Sequence, residues 1–189
     1  MPIEPLNLCG KLLIAMPGMS DPRFEKSVVY ICAHSDEGAM GLIVNKPMPD
    51  VALSDLLKQL SIKPAGQNGD IPVYFGGPVE VGRGFILHSS EYKLDEHTLT
   101  VDAQFAMTAT QDVLRDIAAG SGPKAKLLAL GYAGWDAGQL ETEIQQNGWL
   151  SCDATADVVF DQPSADKWTA ALKLLGVDAL TLSATAGRA

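Results

Sequence analysis

Apolar residues along this chain fall in short runs broken by proline and glycine, and the spacing inside each run predicts its element. "KLLIAMP" (11–17) reads as a strand stopped by Pro17-Gly18, and Asp21-Pro22 marks a turn, since proline biases the residue before it away from helix. "SVVYICAH" (27–34) is β-branched and aromatic, hence a strand. Val28, Tyr30, Cys32 and His34 share one face and Val29, Ile31 and Ala33 the other, so a strand apolar on both sides is expected to be covered on both. "AMGLIVN" (39–45) reads as its hairpin partner, ended by Pro47 and Pro49. Ser35 to Ala39 form the connection, with Gly38 available for positive φ.

Further on the period changes. Leu53, Leu56, Leu57 and Leu60 recur at i, i+3, i+4 and i+7, a helix stripe closed by Pro64 and the loop "AGQNGD" (65–70). "IPVYF" (71–75), "GFILH" (84–88) and "HTLTV" (97–101) read as strands. Thr108 and Gln111 have capping-box spacing, predicting a second helix from Thr108 with stripe Val113, Leu114, Ile117, Ala118 and a stop at Gly120 and Pro123. "AKLLALG" (125–131) has the look of a buried strand. A third helix is predicted with Asp136 as N-cap, Gln139 in the reciprocal position, Trp135 and Leu140 as a hydrophobic staple, and Asn147-Gly148 as the stop. "ATADVVF" (154–160) reads as a strand. Trp168, Ala171, Leu172 and Leu175 form a last helix stripe ending at Gly176, after which residues 177–189 are expected to fray. Strand pairs followed by alternating strands and helices imply a mixed-sheet α+β or α/β fold in one domain, residues 1–189, with about four helices.

Composition narrows the function classes. With a net charge of -9 and a pI near 4.7, and with basic residues scattered singly, the chain lacks the basic patch that direct nucleic-acid binding needs. Cys9, Cys32 and Cys152 are far apart and form no CxxC, so neither a zinc knuckle nor a disulfide framework is indicated. The runs "LLIAM" and "LLAL" are too short to span a bilayer, and no signal segment precedes Cys9, so a cytoplasmic protein without membrane contact is expected.

Candidate chemistry is sparse. There is no GxSxG elbow, phosphate loop, HExxH or EF-hand loop. His34, His88 and His97 show no metal-ligand spacing, so neither metal nor cofactor is expected. Cys32 and His34 stand ~6.6 Å apart along one strand face, too far for thiol activation. "FGGPVEVGRG" (75–84) reads either as an anion-cradling loop or as a tight connection. The "GYAGWDAGQLE" segment (131–141) opens a helix after a strand, but Asp136 at the cap would oppose an anionic ligand.

Several segments together resemble the YqgE/AlgH family of bacterial proteins. They are "LLIAMPGMSDPRF" (12–24), "HSDEGAMGLIVNKP" (34–47), "FGGPV" (75–79) with "LH" (87–88), and "LGYAGWDAGQLETEI" (130–144) followed by Trp149. They recur in order over about residues 7–175. The resemblance implies a bent or split sheet closing into a pseudo-barrel. It also implies a family of unknown function whose members are sometimes described as transcriptional regulators. Within its pattern, Asp21, His34, Asn45, Gly76, Gly77, Pro78, His88, Tyr132, Trp135, Gln139 and Glu141 form the candidate functional patch. The chain departs from the family at Arg23, where Asn is frequent, and at Lys46, where Arg is common and its planar fork is lost. Two functions compete. The first is a regulatory or binding protein acting through a small molecule or protein partner. The second is an enzyme on a small polar substrate, with His34 or His88 as acid/base, Asp21 or Glu141 orienting it and Asn45 as oxyanion donor.

Overall fold

In the computed structural model, which describes residues 7–17, 21–63 and 71–177, each early apolar run finds partners on both edges. Strand β1 (Lys11–Ala15) lies between β2 (Val28–Ser35) and β10 (Trp149–Asp153), antiparallel to both. β2 turns into β3 (Gly38–Ile43) with Ser35 opposite Gly38, so Asp36-Glu37 is a two-residue loop and Gly38 takes φ +142°.

β9 (Lys126–Asp136) organises the rest. One of its edges pairs antiparallel with β6 (Val79–Ser89), which continues to β8 (Phe105–Thr108) and β7 (Thr98–Thr100). The other edge is shared in tandem. β5 (Pro72–Phe75) runs parallel to residues 128–130 and carries β4 (Pro47–Ala52), while β3 pairs antiparallel with residues 133–136. The changeover falls at Gly76, whose N–H donates to the Leu130 carbonyl and whose carbonyl accepts from the Ile43 N–H, at 2.8 and 2.9 Å. The result is a mixed α/β domain with a curled, mainly antiparallel half-barrel sheet.

The doubly apolar character of β2 has its explanation in this curl. Val28, Tyr30 and Cys32 face inward onto Phe105, Val158, Trp168 and Leu172, under α4 (Lys167–Leu174). Val29 and Ile31 face outward into a second core with Leu140 of α3 (Gln139–Gln145), Trp135 and Trp149. A third core lies under α1 (Leu53–Gln59) and α2 (Gln111–Ala118). No helix among the described residues is long and apolar enough to cross a membrane.

Some elements differ from the sequence reading. The predicted strand at 154–160 is a wide helical turn over Asp157–Asp161. A strand would send two adjacent valines to opposite faces, whereas Val158 and Val159 are buried in the same core, and the Thr155 hydroxyl accepts the Val158 N–H to start the turn. The helix expected from Thr108 begins at Gln111, because Thr108 is the buried last residue of β8. β9 runs on to Asp136, so α3 starts at Gln139 after Gly138 rather than being capped by Asp136. Half of the predicted box survives, with the Gln139 side-chain oxygen accepting the Asp136 N–H at 3.0 Å. Trp135 and Leu140 do share one core. β4, β8 and β10 have no counterpart in the sequence reading. The loop expected at 64–70 and the tail beyond 177 lie outside the described residues.

Candidate functional site

β6 and β9 part company between two registered pairs, Val79 with Tyr132 and Gly84 with Leu130. β6 therefore has surplus residues here, and Glu80 to Arg83 bulge outward, with Glu80 at φ +48°. The bulge, the β2–β3 hairpin and the end of β9 enclose a cleft of about 770 Å³. Met40, Phe85, Met107 and Tyr132 give it an apolar floor, Phe85 meeting Tyr132 edge-on at 5.8 Å. Glu37, Glu80, Asp136 and Arg83 stand in its walls, with Arg83 and Glu80 of the bulge paired at 3.4 Å, so carboxylates outnumber cations.

His34, Tyr132 and Trp135 line this cleft. The His34 side chain is only 2% exposed, and both ring nitrogens are engaged. Nδ1 accepts the Leu8 N–H at 3.0 Å, which assigns the proton to Nε2, and Nε2 donates to Glu141 Oε1 at 2.5 Å. Glu141 is held below the usual carboxylate range by its own backbone N–H first and by His34 second. His34 thus straps Leu8, the hairpin and α3 together with no ring nitrogen left for a substrate. Trp135 is fixed from behind, where its indole N–H donates to Glu143 at 2.6 Å, and Trp149 donates to the same oxygen at 3.3 Å.

The other candidates lie elsewhere. Asn45 sits at the opposite end of β2 from His34, accepting the Val28 N–H at 2.9 Å and donating to the Lys26 carbonyl at 2.8 Å. Asp21 caps a short turn over Pro22–Phe24 and pairs with Arg23 at 2.8 Å. Gly76 and Gly77 cross the β9 backbone so closely that a Cβ at Gly76 would stand 2.3 Å from the Gly131 oxygen. Pro78 leads from that crossing into β6, and Gln139 serves the α3 entry.

His88 is fully buried. Its Nδ1–H donates to the Ser89 carbonyl, so Nε2 accepts the Thr108 hydroxyl, which in turn accepts from Thr98, each at 2.8 Å; Thr98 itself accepts the Leu94 N–H. This chain ties β6, β8 and β7 together. Burial holds the imidazole below its ordinary 6.5. The unfolded chain then binds a proton that the folded chain refuses, so stability drops as pH falls through 6.5. Urea midpoints measured from about pH 7.5 down to about 5.5 should fall in the wild type and stay flatter in His88→Gln; parallel profiles would contradict this assignment.

Glu143 and Lys167 escaped the sequence reading. Lys167, 1% exposed, donates to the carbonyls of Val44 and Val159 at 2.8 and 2.7 Å and lies 4.9 Å from the Tyr74 ring centre. Its position four residues before Ala171, on the buried stripe of the last helix, was the available signal. Among the described residues, no group of three or more His, Cys, Asp or Glu side chains is placed to hold a metal ion.

The sequence profile of the AlgH-like family matches residues 12–180 of this chain. A UPF0301 protein of Paracoccus denitrificans (strain Pd 1222) is 56% identical over 185 residues, 97% of each chain. Another, of Jannaschia sp. (strain CCS1), is 55% identical over 190 residues, covering 100% of this chain and 99% of the relative. The solution structure of AlgH from Pseudomonas aeruginosa superposes with a TM-score of 0.77 at 44% identity, covering 100% of both chains. The crystal structure of protein DIP2367 from Corynebacterium diphtheriae, at 21% identity and TM-score 0.70 over 89% of this chain and 87% of that one, shares the fold.

Proposed function

The chain belongs to the AlgH-like family, and from that premise we propose that it is a binding protein whose ligand occupies the cleft beside the β6 bulge. The observation that carries this reading is the state of His34. It is the histidine in the cleft wall, and hydrogen bonds to Leu8 and Glu141 consume both of its nitrogens. A general base needs a free lone pair within reach of substrate. The acid/base alternative also needs Asn45 or His88 nearby, and these sit at other ends of the sheet. What remains is a concave surface with an aromatic floor and a polar rim, the usual make-up of a small-molecule or side-chain pocket.

The surplus of carboxylates over Arg83 favours a neutral or cationic occupant and opposes phosphate backbones. Regulation through a small molecule or a protein partner in the cytoplasm fits that charge better than direct DNA binding.

Non-denaturing mass spectrometry of the purified full chain tests the proposal. A co-purified adduct of constant mass is expected, lost in Ala33→Trp, where an exposed strand residue of the cleft wall is enlarged. Glu141→Gln keeps an acceptor for His34 but removes the charge, so retention of the adduct should change by less than about threefold. An adduct indifferent to Ala33→Trp, or a salt-dependent nanomolar shift of duplex DNA, would overturn it.

A further inference from the structure

β9 loses a neighbour inside the cleft. β6 begins only at Val79, level with Tyr132, so among the described residues no strand follows that edge of β9 on to Asp136. The other edge stays paired, with β3 opposite residues 133–136. The Trp135 carbonyl turns toward β3, since a Cβ on Gly38 would stand 2.4 Å from its oxygen. Successive residues of an antiparallel strand turn their N–H and carbonyl groups to alternate edges. Those of Gly134 and Asp136 therefore turn to the open edge. The Gln139 side chain takes up the Asp136 N–H at 3.0 Å. Gly134 is exposed, lines the cleft and has no side chain to screen its main chain. Here the sheet has a notch one strand wide.

An open edge is a template for a further strand, and its surroundings select that strand's chemistry. Glu37, Glu80 and Asp136 stand around the notch against Arg83 alone. Among the described residues, neither Glu37 nor Asp136 has a cationic partner. The floor already carries a flat cation. The Arg83 guanidinium lies 5.1 Å from the Phe85 ring centre, on a side chain 55% exposed that can swing away. A second copy of this chain is a poor occupant, because its net charge of -9 meets the same carboxylates. Given that the cleft is a binding site, on which this step rests, we propose that its occupant is an extended, basic peptide segment of a protein partner. Its main chain adds to β9 through the N–H and carbonyl of Gly134, in the place that β6 leaves open. Alternate side chains then reach the floor, where an arginine replaces Arg83 over Phe85 and faces Glu80.

The test is a titration of the ¹⁵N-labelled full chain with acetylated, amidated Val-Arg-Val-Arg-Val at constant ionic strength. Two peptides serve as controls. One has glutamate for arginine; the other has every main-chain nitrogen methylated, which keeps the charges but cannot donate to Gly134. The basic peptide is expected to shift the Gly134 amide saturably and slow its hydrogen exchange, with each control at least about tenfold weaker. Glu80→Gln with Asp136→Asn, both at exposed positions, should weaken it by about tenfold and leave the melting temperature within a few degrees. Ala33→Trp should abolish the shift. Equal binding of either control, or binding untouched by Ala33→Trp, would overturn the proposal. A missing shift while the cleft still holds its co-purified adduct rejects this occupant and not the cleft; a chain showing neither rejects both.

Discussion

Replacing Gly77 by alanine is expected to leave little folded protein at physiological temperature. A Cβ at this residue would stand 2.0 Å from the Tyr132 carbonyl carbon, 2.2 Å from its oxygen and 2.3 Å from the Ala133 nitrogen. These are main-chain atoms of β9, which is held between β3 on one edge and β6 on the other, so no flexible side chain can yield. Gly77 also has φ +156°, where a side chain is disfavoured whatever the space. Separating the two backbones would break the changeover of β5 and β3 on β9 and, with it, the walls of the cleft. The cost should exceed about 4 kcal/mol, against a total stability of roughly 5–15 kcal/mol for a domain of this kind. Gly82→Ala is the matched control, since nothing lies within 4 Å of its added carbon, and a change within about 0.5 kcal/mol is expected. Circular dichroism and thermal melting of both variants decide the matter. A Gly77→Ala protein melting within a few degrees of the wild type would show that the crossing tolerates a side chain.

Lys167 should give the domain an unusual alkaline stabilisation. Burial lowers its ammonium from 10.5 to about 8, because the charge is stripped of water, a loss that the two carbonyls and the aromatic face beside it only partly offset. Below about pH 8 folded and unfolded chains are both protonated, and the desolvation cost is felt in full. Between about 8 and 10.5 the unfolded chain binds a proton that the folded chain has lost, so stability rises with pH; above 10.5 both are neutral. The integrated gain is on the order of 3 kcal/mol. Burial of Cys152 and Cys32 acts in the opposite sense, raising these thiols to about 11 and about 12, so the lysine effect must be read as a difference between variants. Denaturation of the wild type and of Lys167→Met across this range should diverge, with the wild type gaining on the variant as pH rises. Lys167→Ala, which leaves the carbonyls of Val44 and Val159 without their donor and a void beside Tyr74, should cost about 4 kcal/mol at neutral pH. Superimposable pH profiles of wild type and Lys167→Met would contradict a buried charged lysine.

These two residues mark where sequence reasoning stops. Gly77 was legible as part of a glycine-rich turn, but the atoms it must admit belong to a strand more than fifty positions away. Lys167 stands on the stripe of the last helix, where a lysine ordinarily reaches solvent; only the closing of that helix over the barrel end surrounds it. Glu143 was hidden for a related reason, since one of the two indoles it holds comes from β10, a strand too short and too mixed in pattern to announce itself.

By itself the sequence determined the local elements whose signals are local: the β2–β3 hairpin with Gly38 at its turn, the stripe of α1, that of α4 from Trp168 to Leu172 (Leu175, expected on it, is exposed past the helix end), the reach of Gln139 back to Asp136, and the two-sided burial of β2. It also carried the family, because the motif segments recur in order along nearly the whole chain. Only the tertiary structure decided which motif residues meet. A strand's pattern says which face a side chain takes but not which strand lies beside it, and β9 is flanked by three strands distant in sequence. That pairing brings His34, Tyr132 and Trp135 to one cleft, leaves Asn45 and His88 at remote ends of the sheet, and spends both nitrogens of His34 on holding the fold together.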